Sequence, residues 1–403
     1  MENLRSARWI HISLVCVFLV LKTKCLEDVC PNDHYPVSIT FVESAVSKGA
    51  VCLDGSPPAY YFDKGFSGGI SNWLIYFEGG GWCQNVRACY DRVHKSNLGS
   101  SINMTKNLYF QGMLSKTQIS NPDFFSWNKV YVGYCDGSSF TGDVEAIDPA
   151  TNLHYRGGRV FSAVIEDLLQ KGMINATNAI LTGTSAGGLA TILHCDGFRA
   201  MVPNAKRVKC ISDAGYFIHS KHLPGLKKRE DRFAEVVSLH GSDKFLPSSC
   251  TSKRNPGLCL FPEYLVNNIQ TPLFLVNSLF DQWQIKENLD PRPGDELGWK
   301  NCTNDLNLCS SSQLETIKDF GMDFVESLPE LGNTLSRGMF INSCYSHGQN
   351  SIFTRKCSRF PTLSNKTIAE AIGDWYFERS PFQVIDTVPD VPRNCTDNYT
   401  RWN

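Results

Sequence analysis

A serine framed by glycines dictates much of the predicted architecture. Residues 183–188 read Gly-Thr-Ser-Ala-Gly-Gly, and the apolar run 178–182 leads directly into them. A serine held on a tight strand-to-helix turn has a strained backbone, so the positions two before and two after it must lack side chains. The pattern therefore predicts a strand, a sharp turn that presents the Ser185 hydroxyl as a nucleophile, and a helix. A glycine-rich helix start is the alternative, because Gly-x-Ser-x-Gly also arises by chance.

Strands and helices are predicted to alternate along the chain. The predicted strands cover 73–77, 129–135, 178–182, 207–212, 272–277 and 339–342, and the predicted helices cover 159–171, the segment after Ser185, 312–328 and 367–377. Such alternation requires crossover connections, which favour an α/β class with a mostly parallel central sheet flanked by helices. Segments 220–260 and 283–311 do not fit this alternation of strands and helices. They are predicted to be loop insertions over the carboxyl ends of the strands, where such sheets place their sites.

The first residues have the layout of a secretory signal peptide. Arg5 and Arg8 precede the apolar stretch 9–21, which is too short for a typical membrane span. A signal anchor is the alternative, but no later segment reaches the ~18 consecutive apolar residues that a spanning helix needs. We predict a signal peptide over 1–25 and, because no repeat or long linker interrupts the body of the chain, a single domain over 26–403.

Cysteine usage agrees with export. Two of the 16 cysteines, Cys16 and Cys25, lie in or beside the signal segment, and the other 14 extend from Cys30 to Cys395. An even number spread along the body favours disulfides, and a small loop closed by the cysteines at 83 and 89 is one option. No paired spacing typical of zinc ligands occurs, so we expect no metal. Glycosylation sequons lie at Asn103, Asn175, Asn301, Asn365, Asn394 and Asn398.

The charge balance argues against a nucleic-acid-binding protein. The formal net charge is −1, whereas such proteins normally carry a basic surplus. The one basic cluster, 221–229, is interrupted by Pro224 and Gly225. We predict that it is a solvated loop face, and contact with an acidic polysaccharide is the alternative.

A nucleophilic serine needs a base and a carboxylate. The hydroxyl barely ionises near neutral pH, so a histidine must take its proton and an acid must orient that histidine. Where such a serine lies on an α/β sheet, the chain order is Ser, acid, His. His347 is the one histidine after residue 240 and follows the predicted strand 339–342. It is the candidate base, with an exposed loop histidine as the alternative.

Two aspartates compete for the role of the acid. Asp281 follows the apolar strand 272–277 through a short loop, and Asp213 follows the strand 207–212. Both lie at the carboxyl end of a strand and between the serine and the histidine in chain order. We favour Asp281, and either residue could instead be a helix N-cap.

Three consecutive glycines follow the strand 73–77. Without Cβ atoms, their backbone N–H groups can turn toward a substrate carbonyl and form an oxyanion hole, although a triple glycine can also be a simple flexible turn. The candidate donors are Gly80, Gly81, Trp82 and Ala186.

Four motifs occur in order along the chain: Gly-Gly-Gly-Trp-Cys at 79–83, Gly-Thr-Ser-Ala-Gly-Gly at 183–188, Asn-Ser-x-Phe-Asp-x-Trp-Gln at 277–284 and Cys-x-x-His-Gly-Gln at 344–349. Together they resemble the plant pectin acetylesterase family, whose relatives include the animal carboxylesterase Notum. The resemblance covers essentially the whole mature chain. It implies an α/β-hydrolase-type catalytic domain, a triad of Ser185, Asp281 and His347, and an oxyanion hole at the four donors named above.

The resemblance also implies a substrate. We expect a secreted serine carboxylesterase that acts in the extracellular cell wall, as a monomer and without a cofactor, and that removes acetyl esters from pectin homogalacturonan. A Notum-like deacylase of fatty-acyl esters, an esterase of another acetylated polysaccharide such as xylan, and an inactive polysaccharide-binding protein are the alternatives. Neither nucleic acid nor stable membrane insertion after signal cleavage is expected.

Overall fold

A mostly parallel sheet forms the centre of the protein in a computed structural model that describes residues 35–220, 225–289, 298–329, 335–348, 361–386, 392–395 and 400–401. The strands are β1 (Tyr35–Phe41), β2 (Ala59–Asp63), β3 (Asn72–Phe77), β4 (Asn107–Phe110), β5 (Asn128–Val132), β6 (Asn178–Thr184), β7 (Arg207–Asp213), β8 (Leu273–Asp281), β9 (Arg337–Ser346), β10 (Thr362–Leu363), β11 (Lys366–Thr367), β12 (Gln383–Ile385), β13 (Arg393–Asn394) and β14 (Thr400–Arg401).

Twelve of the described strands form this sheet, in the order β14-β13-β9-β8-β7-β6-β3-β5-β2-β1-β4, with β12 also paired to β9. From β5 through β3, β6, β7 and β8 to β9 every pairing is parallel. At the β4 edge the pairings are antiparallel. The carboxyl ends of the parallel strands therefore meet along one rim of the sheet, as predicted for a strand and helix alternation.

Helices cover both faces of the sheet. They are α1 (Val86–Lys95), α2 (Gly157–Gln170), α3 (Ala186–Met201), α4 (Leu226–His240), α5 (Ser248–Thr251), α6 (Gln282–Leu289), α7 (Trp299–Asn304), α8 (Ser311–Ser327) and α9 (Ile368–Tyr376). Apolar residues of α2, α3, α4 and α8 share one core with one face of the strands, and α9 packs on the other face. These layers confirm the predicted α/β class.

Local sequence explains why these elements form. In β3, Trp73 and Ile75 enter the core shared with α2 and α3, whereas Leu74 between them enters the core beneath α9. This alternation follows from the two-residue period of a strand, and it is apolar on both sides because both faces are covered. Helices α8 and α9 each begin with a capping box, in which Ser310 and Thr367 bond the third residue of their helix.

The predicted elements exist, but three strand ends differ from the prediction by three residues or more. Strand β5 ends at Val132, three residues before the predicted end at Cys135. Beyond Val132 the N–H of Tyr134 donates to the Glu78 carboxylate and the carbonyl oxygen of Cys135 accepts from the N–H of Leu53, so these groups do not continue the sheet. Strands β8 and β9 run four residues past their predicted ends. The sequence predicted that Asp281 lies in a loop, but it is the last residue of β8. The strand is longer than predicted because pairing with β9 continues past a register shift between Ser278 and Phe280.

Disulfides link segments throughout the described residues. They join Cys52 to Cys135, Cys83 to Cys89, Cys195 to Cys210, Cys250 to Cys259, Cys302 to Cys309 and Cys344 to Cys395. The predicted signal peptide, Cys30 and the sequon at Asn398 lie outside the described residues. Within them, no helix combines the length and the apolar character needed to cross a bilayer.

Candidate active site

Ser185 lies on the predicted turn between β6 and α3. Its backbone has φ 60° and ψ −125°, a left-handed conformation that is costly for a residue with a side chain. The surroundings impose it: a Cβ at Gly183 would lie 2.4 Å from the carbonyl oxygen of Gly187, and a Cβ at Gly187 would lie 2.2 Å from that of Phe77. The two glycines are therefore required by close backbone contacts, as the motif predicts.

A chain of hydrogen bonds joins the three predicted triad residues. The distance from Ser185 Oγ to His347 Nε2 is 2.7 Å, and His347 Nδ1 lies 2.9 Å from both carboxylate oxygens of Asp281. A carboxylate can only accept, so Nδ1 carries the proton and Nε2 is free to accept from the serine hydroxyl. Strands β6, β8 and β9 bring these residues together although 162 positions separate the serine from the histidine.

Asp281 also has the second role considered for it. It directly precedes α6 and accepts a hydrogen bond from the N–H of Gln284, at 2.9 Å, as an N-cap residue does. The carboxylate is completely buried. Its orientation is thus held by the start of a helix as well as by His347, and the two interpretations of this residue are compatible.

Asp213, the rival acid, lies beside the triad in a different role. Its carboxylate accepts a hydrogen bond from Thr184 Oγ1 at 2.9 Å, and its carbonyl oxygen accepts from the N–H of Ser185 at 2.9 Å. The side chain is completely buried. Asp213 therefore supports the turn that carries Ser185, while the hydrogen bonds of His347 Nδ1 go to Asp281.

The protonation of His347 is set by opposing effects. Burial disfavours the charged imidazolium, but the charge and the hydrogen bond of Asp281, together with the charge of Asp213, outweigh it, so the pKa of His347 is raised above its ordinary value. The positive charge of Arg229 acts in the opposite direction. The site thus favours an imidazole that takes up a proton readily.

The glycine loop lies directly against the serine. A Cβ at Gly79 would approach the Cβ of Ser185 to 2.9 Å. Gly80 and Gly81 have φ angles of 143° and 65°, which side chains rarely allow. The loop that holds the predicted donors therefore begins against Ser185, which directly precedes α3. The disulfide between residues 83 and 89 closes the small loop that follows.

The glutamate before this loop has an unusual environment. Burial raises the pKa of Glu78 to about 7, against the opposing effect of the hydrogen bond from the N–H of Tyr134. The nearby positive charge of Arg92 also favours the ionised form. Glu78 joins the ends of β3 and β5 beneath the glycine loop.

Aromatic side chains wall one side of the triad. The ring of Trp82 packs edge to face against Phe217, Phe233 and Trp283, with centroid distances of 4.9, 5.1 and 5.8 Å. Trp283 lies 5.6 Å from the ring of His347. Phe233 belongs to α4, so part of the segment 220–260 lies over the site, as predicted, but it is a helix and not the predicted loop.

The basic cluster 221–229 is only partly a solvated face. Residues 221–224 lie outside the described residues, and Lys227 is exposed and pairs with Asp231. Arg229 is instead buried, with its guanidinium 5.2 Å from the ring centre of Trp283. The difference arises because α4 begins inside the cluster and turns one of its cations toward the aromatic wall.

One cluster in the described residues has the composition of a metal site. Cys83, Cys89 and His240 place their ligand atoms within 4.8 Å of one another. The two sulfurs form a disulfide and so offer no thiolate, and His240 Nε2 lies 2.9 Å from the carbonyl oxygen of Cys83. The cluster is better described as a buried hydrogen-bonded support for the loop 83–89.

Several residues around the triad were not assigned a role from the sequence. Phe217, Trp283 and Ser139 all contact predicted site residues. Ser139 has a usable signal, because it lies in a polar segment that follows a predicted strand on the rim where sites are expected. The signal for Trp283 is its place in the motif 277–284. No sequence signal marks Phe217, since an aromatic residue among apolar residues usually belongs to the hydrophobic core.

The chain matches known proteins along most of its length. The profile of the family described as Pectinacetylesterase matches residues 30–397. Pectin acetylesterase 7 and pectin acetylesterase 11 of Arabidopsis thaliana are 52% and 50% identical to the chain, each over 87% of it and 90% of the relative.

More distant similarity extends to animal proteins. The palmitoleoyl-protein carboxylesterase notum2 of Xenopus laevis is 27% identical over 85% of the chain and 70% of the relative. Among solved structures, the Wnt deacylase Notum from Drosophila superposes with a TM-score of 0.72 at 22% identity and covers 87% of the chain and 95% of the Notum chain. At that identity the similarity shows the fold alone, which is of the α/β-hydrolase type.

Proposed function

The chain belongs to the pectinacetylesterase family and is a carboxylic ester hydrolase, and from this premise we propose that it releases acetate from acetylated cell-wall pectin by a serine mechanism. The observation that supports the mechanism most is the hydrogen-bonded chain from Asp281 through His347 to Ser185, with the serine on a strained turn. The names of the plant relatives support pectin as the substrate.

The first half of the reaction acylates the serine. Ser185 Oγ attacks the carbonyl carbon of the acetyl ester while His347 Nε2 takes the hydroxyl proton. Asp281 accepts the Nδ1–H bond and stabilises the imidazolium that forms. The carbonyl oxygen becomes an oxyanion, for which the N–H groups of the glycine loop and of α3 are the donors. These donors are Gly80, Gly81, Trp82 and Ala186.

The second half returns the enzyme to its starting state. As the tetrahedral intermediate collapses, His347 gives its proton to the departing sugar oxygen, and the acetyl group stays on Ser185. Water then attacks the acyl-enzyme while His347 takes its proton, and His347 returns that proton to Ser185 Oγ as the acyl bond breaks and acetate leaves. The side chains of the triad supply every proton transfer that this sequence needs.

The aromatic wall supports a short acyl group. The rings of Trp82, Phe217 and Trp283 contact one another beside His347. We propose that they limit the length of acyl chain that the site accepts on that side. An acetyl group requires room for a single methyl. A fatty-acyl ester would instead require an extended apolar pocket.

The proposal includes the location and organisation of the protein. We place it outside the cell, in the cell wall, after removal of a signal peptide over 1–25. Disulfides spread along the described residues support a route through an oxidising compartment. One sheet that includes both β1 and β14 supports a single catalytic domain over 26–403, which we expect to act as a monomer.

Acetate release from acetylated homogalacturonan by the purified mature protein tests the proposal. We expect release by the wild type and a loss of ~10³- to 10⁶-fold in turnover for Ser185→Ala, with an unchanged melting temperature and circular dichroism. Acetylated xylan is the competing substrate. Release from xylan alone would be consistent with the triad but would show that pectin is not the substrate. Activity retained by Ser185→Ala would contradict the serine mechanism.

The length of the acyl group is tested with p-nitrophenyl esters. The expected maximum of kcat/KM lies at two carbons, because the aromatic wall limits the acyl site. A maximum at eight or more carbons would favour a lipid deacylase. Absence of both turnover and fluorophosphonate labelling would favour a binding protein without catalytic activity.

A further inference from the structure

A strained segment follows β5 at the rim that carries the triad. Ser139 and Phe140 are consecutive residues with side chains, and both have left-handed backbones, with φ of 56° and 60°. Both are completely buried. Glycine would adopt this conformation without a steric penalty, so a serine at position 139 has a conformational cost that its side chain must offset.

Surrounding hydrogen bonds hold the segment in place. The Asp136 carboxylate accepts from the N–H of Ser138 at 2.9 Å, from the Ser138 hydroxyl at 2.6 Å and from the N–H of Phe140 at 3.1 Å. The Tyr134 hydroxyl accepts from the N–H of Ser139 at 2.9 Å and donates to the carbonyl oxygen of Gly81 at 2.8 Å. The strained backbone is therefore held from both sides, and one of its supports also contacts the glycine loop.

The Ser139 hydroxyl bridges two segments of the site. Its oxygen lies 2.8 Å from Trp82 Nε1 and 2.8 Å from the carbonyl oxygen of Ala186. An indole N–H can only donate and a carbonyl can only accept, so the hydroxyl accepts from Trp82 and donates to Ala186. The serine that makes both hydrogen bonds is completely buried, so water does not compete for them.

We infer that Ser139 is a positioning residue that sets the spacing between the two halves of the oxyanion hole, the glycine loop and the first turn of α3. The inference rests on the proposed function, in which Trp82 and Ala186 supply donors from the two halves. The two residues lie on segments that are far apart in the chain, and one atom, Ser139 Oγ, links the indole of Trp82 to the carbonyl oxygen of Ala186. Because an error of ~1 Å in such a site costs about 10²-fold in rate, a rigid link has a direct catalytic effect.

Ser139→Gly separates this role from a contribution to folding. Glycine removes the hydroxyl but suits the left-handed backbone, so the backbone can keep its course. We expect kcat for p-nitrophenyl acetate to fall by ~10- to 100-fold, with KM within about 3-fold of the wild type, since the oxyanion exists only in the transition state. The kcat of Ser139→Ala should fall by at least as much, because alanine lacks the hydroxyl and still has a side chain at a left-handed backbone position.

Ser212→Ala is the matched control. Ser212 is a buried serine whose hydroxyl donates to the carbonyl oxygen of Gly188 at 2.9 Å, so it binds the same turn of α3 as Ser139 does but contacts none of the proposed donors. We expect its kcat to stay within about 3-fold of the wild type, with any decrease in melting temperature similar to that of Ser139→Ala.

The rate of inactivation by a fluorophosphonate provides the second measurement. Ser139→Gly should react ~10- to 100-fold more slowly than the wild type and still bind one label per chain, because folded sites remain but stabilise the charged transition state less well. A wild-type kcat in Ser139→Gly, or an equal loss of kcat in Ser212→Ala, would overturn the inference while leaving the esterase intact. A wild type that hydrolyses no ester would overturn the proposed function as well.

Discussion

At the scale of single residues, the site depends on which aspartate faces the histidine. Asp281 and Asp213 end neighbouring parallel strands, and both are completely buried. Asp281 bonds His347 Nδ1, whereas Asp213 bonds Thr184 and affects the histidine through its charge. The Asp281 carboxylate therefore fixes the tautomer of His347, and the negative charge of Asp213 further stabilises the protonated imidazole.

Replacing each aspartate by asparagine separates these roles. Asp281→Asn should lower kcat by ~10⁴-fold, because an amide can donate to Nδ1 and so favours the wrong tautomer. Asp213→Asn should lower kcat by less than ~10-fold, since it keeps an oxygen that can accept from Thr184. Steady-state kinetics on p-nitrophenyl acetate is the measurement, and the reverse order of effects would make Asp213 the triad acid.

The pH dependence of the reaction reports on His347. The mechanism needs a neutral imidazole, so kcat/KM should decline as the pH falls through the pKa of His347, which lies above its ordinary value of 6.5. Asp213→Asn removes a negative charge, destabilises the imidazolium and should move this acidic limb to lower pH. Arg229→Met removes a positive charge and should move it to higher pH. Shifts of equal sign in the two variants would contradict this account.

At the scale of an element, α3 contains glycines with opposite roles. A Cβ at Gly187 would lie 2.2 Å from the carbonyl oxygen of Phe77, so the first turn of the helix packs directly on the backbone of β3. Gly197, nearer the other end of the helix, is exposed, and a Cβ there would meet no atom of a neighbouring segment within 4 Å. The same residue type is thus required by packing at one end of the helix and unneeded at the other.

Alanine at these two positions should have opposite effects on stability. Gly187→Ala should lower the free energy of unfolding by ~2 kcal/mol or more, because backbone atoms must move to admit the methyl group. Gly197→Ala should raise it by up to ~1 kcal/mol, since alanine has the higher helix propensity. Urea unfolding followed by circular dichroism provides both values, and a stabilised Gly187→Ala would show that the turn is looser than described.

At the scale of the whole molecule, disulfides tie distant segments to the strands that carry the site. The bond from Cys344 to Cys395 joins β9, three residues before His347, to the C-terminal segment across a separation of 51 residues. The bond from Cys250 to Cys259 closes only 9 residues within the insertion over the site. The entropy of the unfolded chain is restricted more by the longer loop.

Replacing both cysteines of each disulfide should therefore lower the free energy of unfolding by unequal amounts. Cys344→Ala with Cys395→Ala should lower stability by about 4 kcal/mol, and Cys250→Ala with Cys259→Ala by about 3 kcal/mol. Melting temperatures at one fixed scan rate allow the comparison even where unfolding is irreversible. A larger loss for the short loop would mean that packing in the native state, and not chain entropy, dominates.

Much of this protein follows from local chemistry that can be read along the chain. The two-residue alternation of strands, the capping residues of helices and the close contact between Gly183 and Gly187 depend on neighbours in sequence, so the α/β class and the strand-turn-helix at residues 178–201 were predictable. The order of serine, aspartate and histidine is likewise a property of the chain. The assignment of catalytic roles to these residues stays a prediction.

Only the tertiary structure decided which side chains meet. Pairing between β8 and β9 continues past a register shift and carries Asp281 to His347, whereas Asp213 lies one strand away. The hydroxyl of Ser139 reaches Trp82 and Ala186 because β5, β3 and β6 are adjacent in the sheet. Such contacts depend on strand order, register and the packing of helices over the rim, which are long-range properties that no window of sequence contains.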